Sequence, residues 1–547
     1  MNTLYYGDNL DILPKHIAPE SVDLIYLDPP FNSNRDYNVL FKEQTGGESP
    51  AQMQAFGDTW TWAGAREAWE NFTTLCPNAK VIELMHGFHN SVGENDLLAY
   101  LVMMAPRLYH LHRVLKPTGS LYLHCDPTAS HYLKLLLDGI FGIRNFQNEI
   151  IWERTSSHND TKRWMRVQDV IFFYSKSSSF TWNPVYLGHS EKYVKDFYRY
   201  EDTHGRYRLD HIVRSASMGP RPNLAYEYKG YTPEWGWRML KEKLEALDLA
   251  GRIAWSSTGR PYLKRYLHEQ KGTGIKTVIT DIPPIGAQAK ERLGYPTQKP
   301  LALLERILSA SSNEGDLVLD PFCGCGTSVV AAQKLNRQWI GIDIAPIATS
   351  LTQKRLFDAF GAKDIRHLSK DDPATKLAFA VEGLPTDLAG ARLLYAKDPT
   401  HKDFEMWAVG LVPAIPQEKK GADRGIDGVA YFQDNPQSPS KATVQVKGGH
   451  VAVSQVRDLL GVLTREKAQL GFFATLETPT PAMLAEADAA GYYQPPAVVG
   501  RRVNRIQIRT IEDLLQGKTF DFPLYGANVS FKEAERLQDE GQQEMEL

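Results

Sequence analysis

The 547-residue chain has few cysteines and no long hydrophobic run. Its four cysteines are Cys76, Cys125, Cys323 and Cys325, and they form no CxxC pair or Cys/His cluster with zinc spacing. So small a number also argues against a disulfide framework and is typical of a reducing cytosol. The N-terminus lacks a signal-peptide pattern, and no stretch approaches the roughly 18 apolar residues of a membrane span. We therefore expect a soluble cytoplasmic protein without membrane contact.

Two nucleotide-binding fingerprints are missing as well. The G-x-G-x-x-G pattern fails because Val329 occupies the third glycine position after Gly324-Cys325-Gly326, which argues against an NAD oxidoreductase. The absence of a G-x-x-x-x-G-K-[ST] loop argues against an ATP-driven motor in this chain. A net charge of −3 does not by itself indicate a nucleic-acid binder.

The charge is, however, unevenly distributed. Residues 151–290 contain 23 Lys and Arg against 15 Asp and Glu, a balance of +8, so the rest of the chain sums to −11. The same segment is rich in Trp and Tyr. A basic, aromatic-rich insert in an acidic protein indicates polyanion binding. A merely solvated basic surface is the alternative.

Hydrophobic patterning divides the chain into six parts. Strands alternate with helices as in a doubly wound α/β sheet, and this alternation is interrupted by an irregular insert rich in Gly and Pro. A second compact α/β unit follows a connector. The predicted parts are a first α/β part (1–154), the insert (155–290), a resumed α/β part (291–360), the connector (361–402), the second unit (403–518) and a polar tail (519–547).

A short motif, Asp28-Pro29-Pro30-Phe31, follows the apolar run 22–27, which predicts a buried strand. Ligands bind at the carboxyl ends of strands in open α/β sheets. The prolines have no N–H to donate and leave carbonyl oxygens available. A carboxylate and one such carbonyl can accept both hydrogens of an exocyclic amine, while Phe31 offers a face for stacking. The motif thus suits a flat amino base, although a Pro-rich turn is the alternative.

A second motif lies about 290 residues later, where the stretch 317–327 predicts a strand, a glycine loop and a helix start. Glycines let the backbone approach a ligand closely, and we expect Thr327 to cap the helix. The next strand ends in Asp343, an acid that can hold ribose hydroxyls. Together these features predict a nucleoside cofactor, with a tight turn between strand and helix as the alternative.

Taken together, Asp28-Pro29-Pro30-Phe31 and Asp320-Pro321-Phe322-Cys323-Gly324-Cys325-Gly326-Thr327 resemble the amino-methyltransferases of DNA. Their order matches the permuted β group. Five other stretches are similar to that group: Gly7–Leu10, Arg113–Pro117, Leu121–His124, Asn148–Trp152 and Tyr295–Pro300. The resemblance implies a Rossmann-like S-adenosylmethionine-dependent methyltransferase over 1–360. Residues 1–154 would be its catalytic part, 155–290 its target-recognition region and 291–360 its cofactor-binding part.

The resemblance also implies residue roles. Asp28, Pro29, Pro30 and Phe31 would be the catalytic residues. Asp8 would meet the adenine of S-adenosylmethionine and Asp343 its ribose. Its methionine end would contact Asp320, Pro321, Phe322, Gly324, Gly326 and Thr327, together with Thr297, Gln298 and Lys299. An acid in the first motif position favours adenine N6 over cytosine N4 in double-stranded DNA, and cytosine stays open.

A different chemistry is predicted after the connector. A helix begins near Phe404, Asp427 precedes one strand, and the next strand places Thr443, Gln445 and Lys447 on one face. With the helix and strand that follow, this order resembles the Mrr-like branch of the PD-(D/E)xK nucleases.

That resemblance implies a Mg²⁺ site made by Asp427 and Gln445, with Lys447 activating the attacking water and Glu405 assisting. Gln445 in place of an acid weakens the site by one charge, because hard cations prefer carboxylates. Alternating polar residues ending in a lysine also occur on an exposed strand, which is the alternative interpretation.

We therefore predict a DNA adenine-N6 methyltransferase fused to a Mg²⁺-dependent restriction endonuclease. One alternative is a solitary methyltransferase, for adenine or cytosine, with an inactive nuclease-like domain used for DNA binding. Another is a DNA-binding protein without catalysis. A homodimer and a partner subunit of a restriction system both stay open, and no motif predicts the target sequence.

Overall fold

The computed structural model describes residues 1–30, 37–42, 48–56, 62–76, 78–155, 164–286, 289–293, 297–362, 377–397, 399–412, 414–417, 426–432, 434, 440–496 and 500–522. Phe31, Tyr295 and Pro296 lie outside these residues. The chain forms two compact units, one of residues 184–276 and one of the residues before and after them. In the described parts, every helix is too short or too polar to cross a membrane.

The larger unit begins with a series of alternating strands and helices. In chain order these are β1 (Thr3–Tyr6), α1 (Asn9–His16), β2 (Val22–Leu27), β3 (Tyr37–Lys42), β4 (Glu48–Phe56), α2 (Trp62–Leu75), α3 (Ala79–Val92), α4 (Asp96–Val114), β5 (Leu115–Cys125), α5 (Ser130–Phe141), β6 (Phe146–Glu153) and β7 (Gln168–Ser175). The smaller unit contains β8 (Tyr186–Leu187), α6 (Glu191–Phe197), β9 (Tyr200–Asp202), β10 (Gly205–His211), α7 (Lys241–Leu249), β11 (Ile253–Trp255), β12 (Pro261–Tyr266) and β13 (Thr273–Gly274).

After the smaller unit the chain completes the first sheet and builds a second one. The strands that complete the first sheet, and the helices between them, are β14 (Val278–Ile279), α8 (Leu301–Ser311), β15 (Leu317–Asp320), α9 (Thr327–Lys334), β16 (Gln338–Asp343), α10 (Pro346–Phe360) and β17 (Ala380–Glu382). The remaining elements are α11 (Leu388–Lys397), α12 (Lys402–Gly410), β18 (Ile415–Pro416), β19 (Gly428–Phe432), β20 (Ser440–Lys447), α13 (Val453–Glu466), β21 (Leu470–Thr475), α14 (Pro481–Ala489), β22 (Tyr492–Tyr493), β23 (Val503–Asn504), β24 (Ile506–Thr510) and α15 (Ile511–Leu515).

The first sheet has nine described strands in the order β14-β6-β7-β5-β2-β15-β16-β1-β17. Pairing is parallel except where β7 meets β5 and β6. The predicted doubly wound α/β arrangement is confirmed. Because β1, β2, β15 and β16 are neighbours and parallel, their carboxyl ends lie along one edge of the sheet. The strand β17 adds to this sheet although it lies in the predicted connector 361–402.

Burial on both faces explains why these strands have continuous apolar sequences. In β2 all residues except Asp23 are buried, as in a parallel sheet covered by helices on both sides. One covering helix, α4, begins where the Asn95 side chain accepts a hydrogen bond from Leu98 N at 3.0 Å. The sheet thus separates two hydrophobic cores.

One predicted turn is instead part of a strand. The sequence pattern places Lys116-Pro117-Thr118-Gly119 between a helix and a strand that starts at Ser120, but β5 already begins at Leu115. The register explains the difference, since Val22 pairs with Leu115 and Leu24 pairs with Ser120. The four residues therefore bulge out between two points of pairing with β2.

The second sheet has the order β18-β19-β20-β21-β24, with β20 in the middle. One of its faces packs on α12 through Phe404 and Trp407, and the other packs on α13 through Val456 and Leu459. The predicted polar tail 519–547 begins with residues that belong to this core. Phe520 is buried and its ring stacks on Phe472 with the centroids 4.6 Å apart.

The smaller unit is built on a four-stranded antiparallel sheet, β11-β12-β10-β9, beside the two-stranded pair β8 and β13. Its core is aromatic: Trp237 is fully buried and packs with Tyr226, Tyr228 and Tyr231. Several of the aromatic residues that made this region look like a polyanion-binding surface therefore stabilise its interior.

Candidate active sites

A cavity of about 880 Å³ opens at the carboxyl edge of the nine-stranded sheet. Four acids that end or follow four parallel strands line it: Asp8, Asp28, Asp320 and Asp343. Two of these strands lie early in the sequence and two lie much later, and the order of β2, β15, β16 and β1 in the sheet brings them together. The result is a concave site in which four acids face two cationic side chains, Arg107 and Lys299.

Asp8 is the N-cap of α1, and its carboxylate accepts a hydrogen bond from Leu10 N at 2.8 Å. The same carboxylate is 2.7 Å from Arg107 Nη2, on α4. Arg107 Nε also donates to Asn9 Oδ1 at 2.6 Å, and the Asn9 amide donates to Pro321 O at 2.7 Å. These bonds connect the loop after β1 to the glycine loop after β15.

The glycine loop is held by buried polar groups. Asp320 accepts hydrogen bonds from Ser328 Oγ and, at 3.0 Å, from Phe322 N. Burial, with smaller contributions from the charges of Asp28 and Asp343, raises the pKa of Asp320 to about 7. Gly326 has φ +75°, a conformation that L side chains rarely adopt, and an added Cβ would lie 2.7 Å from Thr352 Cγ2. Only glycine fits there.

Thr327 does not cap α9, contrary to the sequence-based expectation. Gly326 is the cap residue, and it has no side chain with which to accept a hydrogen bond. Thr327 is the first helical residue, and its Oγ1 instead accepts a hydrogen bond from Arg355 Nη1 at 2.8 Å. The hydroxyl therefore anchors the loop to α10.

Asp343 ends β16 and faces the cavity while binding two backbone amides. Its Oδ2 accepts from Gly324 N and its Oδ1 from Ala345 N, both at 2.8 Å. Burial raises its pKa to about 6, although the backbone hydrogen bonds act in the opposite direction. Asp343 thus fixes the glycine loop as well as offering acceptor sites to a ligand.

Asp28 lies at the end of β2, where its carboxylate forms an ion pair with the ammonium of Lys299. Both side chains are mostly buried, and both line the cavity together with Pro30 and Thr297. Each carboxylate oxygen has two acceptor sites, so binding Lys299 leaves capacity to accept from a further donor. The structure brings Asp28 and Lys299 together from positions 271 residues apart.

Sequence reasoning missed Arg107, Ser328 and Tyr26 as cavity residues. Arg107 had a signal, because it is a lone charge within the long apolar stretch of α4, and buried charges need partners. Ser328 and Tyr26 had none, since a serine in a helix and a tyrosine in a strand occur in any α/β protein. Their roles depend on which side of the element they occupy.

A second site lies where β19 begins and β20 ends. Gly428 pairs with Val444 in an antiparallel register, which places Asp427 opposite Gln445 on the same face. Asp427 accepts a hydrogen bond from Val446 N through Oδ2 at 2.7 Å. Burial raises its pKa to about 6; the charge of Lys447 lowers it and that of Glu405 raises it further. The predicted residues of this site therefore lie within electrostatic reach of Asp427.

The strand β20 is buried on both faces, which excludes the exposed-strand interpretation. Thr443 is fully buried and Gln445 is 5% exposed. Gln445 Oε1 and Thr443 Oγ1 have no hydrogen-bond partner among the residues that the structure describes. A buried oxygen without a donor is costly, and a cation at this position would satisfy it. Among the described residues there is no group of three or more His, Cys, Asp or Glu that could hold a metal.

The smaller unit neutralises part of its own positive charge. Lys264 pairs with Asp202 at 2.8 Å, Arg265 with Asp210 at 3.1 Å, and Arg252 with Glu269 at 2.6 Å. The unit also exposes aromatic side chains, including those of Tyr186, Phe197 and Tyr200. Both kinds of group can contact a nucleic acid, but this unit contains no docking motif that the sequence makes recognisable.

Two models of known protein families match the chain. The family model described as DNA methylase matches residues 22–354, more than half of the chain. The chain belongs to the DNA methylase family. A second model, described as restriction endonuclease, matches residues 401–494 of the chain. This range includes Glu405, Asp427, Gln445 and Lys447. Both predicted family resemblances are confirmed.

Curated relatives match part of the chain. The type II methyltransferase M.EcaI of Enterobacter cloacae is 37% identical over 264 residues, 47% of this chain and 57% of the relative. The type III StyLTI Mod subunit of Salmonella typhimurium is 26% identical over 62% of this chain and 50% of the relative. The methylase thus spans about half the length of these two relatives. The DNA adenine methyltransferase YhdJ of Escherichia coli is 25% identical over 67% of this chain and 87% of the relative.

Proposed function

We propose that this methylase transfers a methyl group from S-adenosylmethionine to the N6 amine of adenine in duplex DNA. The observation that carries the proposal is the position of Asp28, a carboxylate at a strand end in the same cavity as Asp320 and Asp343. An acceptor for an amino group and acceptors for a nucleoside cofactor thus share one space. The relative YhdJ, named as a DNA adenine methyltransferase, favours adenine as the target.

The donor set fits S-adenosylmethionine, which when bound supplies a methyl group on a positively charged sulfonium. Asp343 would accept from the ribose hydroxyls and Asp8 would meet the adenine. The loop from Asp320 to Thr327, with Thr297 and Lys299, would hold the methionine end. The carboxylates of the cavity favour a cationic ligand, and the glycines of the loop let its backbone approach that ligand closely.

The methylase residues have to make a poor nucleophile reactive. The lone pair of a base amine is delocalised into the ring, so attack requires the nitrogen to become more tetrahedral. Asp28 and the Pro29 carbonyl would accept its two hydrogens and hold the nitrogen in line with the methyl group. The base must leave the duplex, at an unstacking cost of a few kcal/mol that stacking on Phe31 would partly offset.

We also propose that residues 403–518 form a Mg²⁺-dependent nuclease. Asp427 and Gln445 would hold the metal, whose charge would stabilise a phosphate under attack, and Lys447 would orient the attacking water. The oxygen of Gln445 that has no hydrogen-bond partner supports this assignment. A solitary methyltransferase with an inactive nuclease-like domain is the second candidate, favoured by Gln445 where an acid would bind a hard cation better.

One experiment tests both activities. The full-length protein would be incubated with plasmid DNA and S-adenosylmethionine labelled in the methyl group, with and without Mg²⁺. Products would be digested to nucleosides and also separated on a gel. We expect labelled N6-methyladenine and Mg²⁺-dependent breaks. N6-methyladenine in intact DNA would support the second candidate, N4-methylcytosine would refute the proposed base, and no label in DNA would refute the methyltransferase.

A further inference from the structure

A row of hydrogen-bonded side chains crosses four neighbouring strands beside the methylase cavity. The Tyr26 hydroxyl on β2 is 2.9 Å from His124 Nδ1 on β5, and His124 Nε2 is 3.0 Å from Asp169 Oδ2 on β7. The other oxygen of Asp169 lies 3.2 Å from Arg154 Nε, just after β6, in an ion pair without hydrogen-bond geometry. Tyr26, His124 and Asp169 are each at most 2% exposed.

The row ends next to the proposed methyl-transfer site. Tyr26 precedes Asp28 by two residues, so strand alternation places both on the same side of the sheet. Tyr26, Asp28 and Lys299 all line the cavity. The other residues of the row do not line the cavity. They lie on the side of Tyr26 that faces away from it.

The charged side chains of the row balance one another when His124 is neutral. Burial, and then the charges of Asp28, Asp320 and Asp169, raise the pKa of Tyr26 well above its usual value. The ion pair with Arg154 keeps Asp169 ionised. Tyr26 is therefore neutral and Asp169 ionised. Since Arg154 already compensates Asp169, a protonated His124 would add an unbalanced buried charge.

A neutral imidazole has one donor and one acceptor nitrogen. The Asp169 carboxylate can only accept, so the proton of His124 is on Nε2. His124 Nδ1 is then the acceptor and the Tyr26 hydroxyl is the donor. The proton of Tyr26 points to His124, and the remaining lone pair of its oxygen is left to accept from another group.

We propose that His124 and Asp169 are positioning residues that orient the Tyr26 hydroxyl, so that its oxygen rather than its proton faces the amino group of the target base. Asp28 and the Pro29 carbonyl accept the two hydrogens of that amine, and the Tyr26 oxygen stabilises the positive charge that develops on its nitrogen. This inference rests on the proposed methyl transfer. It implies that the direction of a hydrogen bond behind the cavity wall changes the rate of the reaction. The fold of the sheet does not require this direction of the hydrogen bond from Tyr26 to His124, because an asparagine could replace Asp169 in the same space.

The test uses Asp169→Asn and Tyr26→Phe, singly and together, in the full-length methylase. The amide introduced by Asp169→Asn would donate to His124 Nε2, move the imidazole proton to Nδ1 and turn the Tyr26 proton towards the cavity. A change of this kind leaves the geometry intact but selects the wrong tautomer. We expect the single-turnover methylation rate to fall at least about tenfold in each single variant, with the affinity for S-adenosylmethionine unchanged. In the Tyr26→Phe background, Asp169→Asn should cause no further loss.

A matched control is Asp138→Asn, which alters another tyrosine–acid pair at the same sheet. The Tyr174 hydroxyl donates to Asp138 Oδ1 at 2.6 Å, and neither residue lines the cavity. This variant should alter the melting temperature but not the methylation rate. In protein prepared with 15N-labelled histidine, the His124 signal, assigned with His124→Asn, should show an unprotonated Nδ1 in the wild type and in Tyr26→Phe.

Three results would overturn the inference. These are a protonated Nδ1 in the wild type, an unchanged rate in folded Asp169→Asn, and an equal loss caused by Asp169→Asn with or without the Tyr26 hydroxyl. The histidine spectrum of the wild type decides the proton position even if a variant fails to fold. Failure of the proposed function is distinguishable, because the wild type would then label no DNA at all.

Discussion

The carboxylates of the methylase cavity have partners within the protein, whereas the nuclease-like site keeps buried oxygens without hydrogen bonds. Asp8 is paired with Arg107 and Asp28 with Lys299, and Asp343 binds two backbone amides. In the other site, Gln445 Oε1 has no hydrogen-bond partner within the described parts of the chain. The polar side chains of the first site are held in place before any ligand binds, so an organic cation can bind without rearranging them. With the proposed Mg²⁺ bound, the second would gain the interactions it lacks, so we expect its activity to depend strongly on metal.

The largest expected effect is that of Asp28→Ala on methyl transfer. Loss of the acceptor should lower the single-turnover rate by about 10³-fold or more, since the amine is no longer oriented. Because the other carboxylates of the cavity remain, the Kd for S-adenosylmethionine should change by less than about threefold, well under 1 kcal/mol. Equilibrium binding and methylation of plasmid DNA measure the two quantities.

The control for Asp28→Ala is Asp11→Ala, which removes an exposed acid of α1 that pairs with Lys15. This variant should retain both methylation and cofactor binding. Loss of binding in step with loss of rate in Asp28→Ala would show that Asp28 belongs to the cofactor site, and the contrast between an orienting acid and the cofactor-binding acids would fail.

Lys447→Ala should stop DNA cleavage and leave methylation intact. Removing the group that orients the water should lower the cleavage rate by about 10²-fold or more. Gel analysis of plasmid breaks in Mg²⁺ measures it, with methyl labelling in parallel. Lys441→Ala is a matched control, because Lys441 lies at the start of the same strand and pairs with Glu466 at 3.0 Å. Undiminished cleavage by Lys447→Ala would refute the assigned site.

Gln445→Glu should sharpen the contrast between the two sites. An added carboxylate supplies the charge that a hard cation prefers, so half-maximal cleavage should need about tenfold less Mg²⁺. Gln445→Leu should abolish cleavage without loss of thermal stability, because it removes a buried oxygen that lacks a partner. An unchanged Mg²⁺ dependence in Gln445→Glu together with normal cleavage in Gln445→Leu would exclude Gln445 as a ligand.

The smallest expected effect is on the pH dependence of cofactor affinity. The pKa of Asp320 is raised to about 7, so this carboxyl is partly protonated near neutral pH and ionises as the pH rises. Ionisation adds a negative charge beside the sulfonium, so affinity for S-adenosylmethionine should increase severalfold between about pH 6 and pH 8.

S-adenosylhomocysteine is the matched ligand for this measurement, because it shares the adenosine and amino-acid groups but has an uncharged sulfur. Asp343, whose pKa is about 6, should affect both ligands alike. Calorimetric titrations at several pH values would give the difference between them. Equal slopes for the two ligands would show that Asp320 does not interact with the sulfonium.

Much of the methylase site could be predicted because its residues occupy spaced motifs at strand ends. Asp28, Asp320 and Asp343 each end or follow an apolar strand, and the doubly wound pattern places such ends on one edge. The prediction that Thr327 caps α9 is wrong. A threonine after a glycine loop is a common N-cap residue, but Thr327 follows the cap residue, Gly326. Local composition does not determine on which side of a helix start a residue lies.

The two families, the positions of their motifs and the α/β class follow from the amino-acid order alone, because they depend on periodicity and on short spacings along the chain. Which polar groups have partners depends instead on the folded arrangement. Arg107 reaches Asp8, Lys299 reaches Asp28, and the row from Tyr26 to Arg154 forms because β2, β5, β7 and β6 are neighbours in the sheet. Charge balance and proton position in a buried site depend on distances of about 3 Å between residues far apart in the chain, and strand order sets those distances.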